Sequence, residues 1–141
     1  MDELRTSASI RIGAPPERVW TALTDPDEIE RWFFGVRTET DWAPGSPIVH
    51  RGEWQGKPYV DKGKIVAFDP PTRLVHTHWS DLSGTPDAPE HYQEVTWPLD
   101  ERDGATDLTV SELNLPSEEA KGVSEQSWQT VLQNLKDVVE G

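Results

Sequence analysis

Ile10-Arg11-Ile12-Gly13-Ala14-Pro15-Pro16-Glu17-Arg18-Val19-Trp20-Thr21-Ala22-Leu23-Thr24-Asp25-Pro26 decides how this chain folds. Ala8, Ile10 and Ile12 share one face of an alternating run from Ser7 to Ile12, which predicts the first strand. Pro15-Pro16 then opens a helix at its first turn, where a missing N–H removes no hydrogen bond. Val19, Trp20 and Leu23 recur at helical spacing. Thr24-Asp25-Pro26 stops the element before a second turn or helix through Glu28 to Phe33, with Gly35 as its C-cap.

The other end of the chain answers the first. Ser117 caps a helix whose N-terminal end is favoured by Glu118 and Glu119. Along it Val123, Gln126-Ser127, Trp128, Val131, Leu132, Leu135 and Val139 make one apolar stripe. Between the two ends the period is two. Strands are predicted over Val36–Asp41, Ile48–Gln55, Tyr59–Phe68, Arg73–Trp79, Tyr92–Leu99 and Thr106–Asn114. Ala43-Pro44-Gly45, Gln55-Gly56-Lys57-Pro58, Asp69-Pro70-Pro71 and Arg102-Asp103-Gly104 separate them, and Asp81 to Glu90 reads as a mobile loop. A long helix laid across a curved antiparallel sheet leaves a space between the two.

Composition narrows what could fill that space. At 141 residues the chain is expected to form one domain, of a size that buries about 70% of the surface its unfolded form exposes. It has no cysteine, hence no disulfide or thiolate site. The N-terminus lacks the basic start and apolar core of a signal peptide, and no apolar run approaches the ~20 residues of a membrane span. A cytoplasmic location is the expectation. Asp and Glu total 26 against 13 Lys and Arg, and the formal charge of −13 repels nucleic-acid backbones and anionic membrane surfaces. Seven tryptophans point instead to a wide apolar groove.

The whole series resembles a known family. Pro15-Pro16-x-x-Val19-Trp20-x-Ala22-Leu23-Thr24-Asp25-Pro26 with Trp32 carries the likeness. So do Phe68-Asp69-Pro70-Pro71-x-Arg73-Leu74-Val75-x-Thr77, Val95-Thr96-Trp97-x-Leu99, and Trp128 followed by Leu132 and Leu135-Lys136. In this order they resemble the activators of heat shock protein 90 ATPase homologues, within the START-like, polyketide-cyclase and Bet v 1-like superfamily. The resemblance implies an α+β helix-grip fold: a seven-stranded antiparallel sheet wrapped around a long C-terminal helix, with two short helices after the first strand. It does not imply one function. The eukaryotic co-chaperones that name the family carry an extra N-terminal domain. We therefore expect this chain alone to leave the chaperone's ATPase unaffected.

No Gly-rich phosphate loop, H-E-x-x-H or Gly-x-Ser-x-Gly motif is present. The four histidines are the sharper feature, because each falls in the register of its strand's large apolar residues. His76 and His78 share a face with Leu74, His50 with Ile48 and Trp54, and His91 with Gln93, Val95, Trp97 and Leu99. Three readings stand: hydrogen-bonded imidazoles at strand ends, cavity residues that orient a polar group of an apolar ligand, or a His76-x-His78 metal site. The last lacks a third ligand by spacing. In the cavity reading, burial should push the imidazole pKa below 6.5. Glu112 ends the row of Leu108 and Val110. It is either solvated beside Asn114 or turned into the cavity as a proton acceptor.

Among the tryptophans, Trp20 and Trp128 fall on core faces of helices, Trp32, Trp54 and Trp97 suit pocket walls, and Trp79 alternates away from His76 and His78. The expected ligand-binding set is Trp32, Trp54, His76, His78, His91, Gln93, Trp97, Glu112 and Trp128, with no metal and no cofactor. The expected partner is a small apolar or lipid-like molecule. A cyclase- or aromatase-like enzyme using cavity His or Glu, and a chaperone-associated or regulatory module binding a protein partner or a second copy of itself, stand as alternatives.

Overall fold

Strand β1 (Arg5–Ile12) leads through Pro15 into α1 (Pro16–Thr24), and Asp25 separates it from α2 (Pro26–Trp32). Asp25 ends the first helix with its backbone N–H on Thr21 and caps the second, its side chain accepting from the Asp27 N–H. Five strands then follow: β2 (Arg37–Thr40), β3 (Pro47–Trp54), β4 (Lys57–Asp69), β5 (Arg73–Ser80) and, after a 3₁₀ turn at Pro89–His91, β6 (Gln93–Arg102). β7 (Ala105–Leu113) and the long α3 (Glu118–Glu140) complete the chain. This computed structural model describes residues 4–80 and 84–141, and of Trp54 the backbone alone. Residues 81–83 of the expected mobile loop lie outside the described residues.

All seven strands form one antiparallel sheet in the order β1-β7-β6-β5-β4-β3-β2. Two of its hairpins turn on residue pairs with positive φ, Gln55-Gly56 and Asp103-Gly104, as a two-residue turn matched to the strand twist requires. Gly63 is needed for another reason. A Cβ there would lie 1.8 Å from the Thr77 carbonyl oxygen, so only glycine lets β4 and β5 approach beside the irregularity between Ile65 and Ala67.

The core fills the concave side. Ile12, Val19, Leu23, Leu108, Val110, Val131, Leu132 and Leu135 are buried and close the sheet onto the helices. Ser117 caps α3 by accepting from the Ala120 N–H. The expected apolar stripe of α3 is corrected in its first half: Val123 is 61% exposed, and Gln126 and Ser127 are exposed as well. The buried residues of α3 are Val131, Leu132 and Leu135, all in its second half. The helix is therefore packed into the core by that half, while its first turns meet the sheet through polar contacts such as Ser124 with Glu112.

Candidate ligand cavity

The gap under the first turns of α3 is a cavity of about 900 Å³, within the range of small-molecule sites. Leu23, Ile29, Leu74, Val95 and Val131 give it an apolar floor. Phe34 and Val123, two of the exposed large apolar side chains, stand among its lining residues.

Aromatic rings make the wall. Trp97 on β6 lies edge-on to Trp128 of α3 at 5.4 Å and to Trp32 of α2 at 6.0 Å. Their indole donors are all engaged with protein. Trp32 Nε1 donates to the Ala22 carbonyl, Trp97 Nε1 to His76 Nε2, and Trp128 Nε1 to Glu112 Oε1. What remains for a bound molecule is ring surface.

Three strands deliver a polar cluster to the same wall. The rings of His50 and His76 lie 6.4 Å apart, and those of His50 and His78 6.5 Å. Burial, with the neighbouring His76 and His78, pushes His50 down to about 3. Burial likewise pushes His76 down to about 4. His50 Nδ1 is 2.8 Å from the Thr38 hydroxyl. An indole N–H can only donate, so His76 Nε2 keeps its lone pair for Trp97, and its Nδ1–H donates to the Thr77 carbonyl at 3.1 Å. His76 is thus held neutral in one tautomer.

His78 departs from the expectation that burial lowers every cavity histidine. Burial does disfavour its charge, but the Asp61 carboxylate 3.1 Å from Nε2, with added attraction from Asp61 and Glu112, outweighs it and raises the pKa. Burial also works against the Asp61 charge, but the hydrogen bond and attraction of His78, with a hydrogen bond from Ser80 and the nearby His50, together outweigh it, so Asp61 falls below its usual range. Glu112 on β7 also lines the cavity. It is 6% exposed, and its Oε1 accepts from both Trp128 Nε1 at 3.1 Å and the Ser124 hydroxyl. It faces the cavity rather than standing solvated beside Asn114.

Of the residues singled out from sequence, Trp32, His76, His78, Gln93, Trp97, Glu112 and Trp128 line this one cavity. The Trp54 side chain lies outside the described residues. His91 is in the 3₁₀ turn, not on β6, and is absent from the wall. The alternation read back through it stops at Gln93, where the strand begins, and the Gln93 side chain donates to the His91 carbonyl instead. Trp79 turns away from the cavity, as its parity implies, and stacks with Tyr92 while donating to Thr85. Asp61 escaped notice. It alternates with Tyr59 and Ile65, the signal that drew attention to Glu112. Among the described residues no group of three His, Cys, Asp or Glu side chains could hold a metal ion. No described helix is long and apolar enough to cross a membrane.

Comparison with solved structures returns the same architecture. The solution structure of a Cytophaga hutchinsonii protein is 38% identical, with a TM-score of 0.84 over 99% of this chain and 97% of that one. A Chromobacterium violaceum protein of 21% identity superposes with a TM-score of 0.82 over 98% of this chain and 99% of that one, a likeness of fold alone. DynU16, a protein of the dynemicin biosynthetic locus, is 20% identical with a TM-score of 0.80, over 96% of this chain and 47% of that one. A search of curated proteins finds no match. Residues 13–140, all but the ends, match the family described as activator of Hsp90 ATPase homolog 1-like protein, and the chain belongs to that family.

Proposed function

We propose that this protein binds a small, mostly apolar molecule, aromatic or lipid-like, between the sheet and α3. The observation that carries the reading is the cavity of about 900 Å³, whose wall is tryptophan surface with a confined polar cluster. Such a site gains affinity from apolar burial and takes its orientation from a few polar groups. The family's fold is compatible with it. Native mass spectrometry of the protein purified from its own host tests the reading. A stoichiometric small-molecule adduct, released on denaturation, is expected. Only apoprotein, with nothing small in the denatured extract, would overturn it.

A second reading is favoured by one observation. His78 with Asp61, and Glu112 besides, sit inside the cavity, where an acid and a base could act on a bound molecule in the manner of a cyclase. The protein-docking alternative draws less support. Of the exposed large apolar residues among those described, Phe34 and Val123 belong to the cavity lining and Val66 stands apart.

A further inference from the structure

Three imidazoles around a cavity look like a site for an anion. The hydrogen bonds say otherwise. Both His76 nitrogens are spent, on Trp97 and on the Thr77 carbonyl. His50 gives Nδ1 to Thr38, stands edge-on to Phe33 at 5.5 Å, and is buried and neutral. His78 is the histidine whose pKa is raised, because the Asp61 carboxylate lies 3.1 Å from its Nε2. The ionisable groups facing His78 are therefore Asp61 from β4 and Glu112 from β7, both carboxylates, with the neutral His50 and His76 from β3 and β5.

An anionic ligand would bring a further negative charge beside the Asp61 and Glu112 carboxylates, in a chain whose net charge is −13. Neither the indoles nor the Gln93 amide helps it. The three indole N–H groups are engaged, and the Gln93 amide nitrogen donates to the His91 and Asn114 carbonyls, which leaves its oxygen as an acceptor. With Nε2 turned to Asp61, Nδ1 is the position from which the His78 ring can meet a bound molecule.

We infer that the cavity selects ligands bearing a neutral oxygen acceptor, a ketone or similar carbonyl, which takes a hydrogen bond from His78 Nδ1, and that it discriminates against carboxylates of the same shape. Asp61 orients the ring and favours its doubly protonated form, in which Nδ1 donates, and the tryptophan wall holds the apolar body. This rests on the ligand-binding reading and adds the chemical class of the ligand.

Calorimetric titration near neutral pH with naphthalene, 2-acetylnaphthalene and 2-naphthoate tests it, since the three share one ring body. The ketone should bind about tenfold tighter than naphthalene and tighter still than the naphthoate. With the ketone ¹³C-labelled at its carbonyl, binding should move that resonance downfield. In a His78→Leu, Asp61→Asn double variant, which strands no buried carboxylate, naphthalene binding should persist while the ketone's advantage and the resonance shift disappear. Equal or tighter binding of the naphthoate, or a ketone advantage unchanged in the double variant, would overturn the inference and leave ligand binding standing. Failure of all three probes to bind the unaltered protein would take down the ligand-binding reading and this one with it.

Discussion

Trp128 on α3 and Glu112 on β7 are joined by a hydrogen bond of 3.1 Å from the indole nitrogen to the carboxylate. At the edge of the cavity it ties the helix to the sheet, together with the Ser124 hydroxyl. Trp128 also lies at right angles to Trp97, 5.4 Å away. Two substitutions separate the contributions. Trp128→Phe keeps an aromatic contact and loses the hydrogen bond, and should cost about 1 kcal/mol in urea denaturation. Trp128→Ala loses both and should cost about 3 kcal/mol.

The neutral histidines make stability depend on pH. The folded pKa values of His50 and His76, about 3 and about 4, lie below the unfolded value of 6.5. Protonation therefore favours the unfolded chain, and stability should fall as pH drops below 6.5 and level off below about 3. Asp61, also depressed, adds to the loss at the acid end of that range. His78 has the opposite sign, since its raised pKa contributes stability at low pH that is lost as pH rises through the folded value. The two lowered groups outweigh it, for a net loss on the order of a few kcal/mol between neutral pH and pH near 4. Chemical denaturation at a series of pH values checks this, and His50→Phe should flatten the curve.

Two glycines should respond in opposite directions to alanine. Gly63→Ala would drive a methyl group into the Thr77 carbonyl and should cost more than about 3 kcal/mol or abolish folding. Gly122 lies inside α3 with nothing within 4 Å of its would-be Cβ. Gly122→Ala should stabilise by about 0.5–1 kcal/mol, because it lowers the entropy of the unfolded chain and favours helix. Thermal denaturation of the two variants gives the comparison.

Local pattern carried most of this fold. Pro16 and Pro26 punctuate the first two helices, and alternation put His50, His76, His78 and Glu112 on the concave face, because a strand allows a side chain only two directions. The parts that were not legible depend on partners distant in sequence. The raised pKa of His78 is set by Asp61, 17 residues away on the neighbouring strand, and the register alone pointed to a lowered pKa. Val123 reads as part of an apolar stripe, yet which half of a helix meets the sheet is decided by anchoring at Val131, Leu132 and Leu135. His91 failed for a local reason: a strand pattern does not say where it begins, and Pro89 starts a 3₁₀ turn there.

The central claim is that the space beneath α3 accepts a small apolar molecule, and a titration with Nile red, a neutral apolar dye, tests it most directly. Its fluorescence should rise saturably with one site per chain and a micromolar Kd. Ala120→Trp places a large ring on the cavity lining and should abolish that signal without loss of thermal stability. No saturable binding, or binding that the Ala120→Trp protein retains in full, would contradict the account.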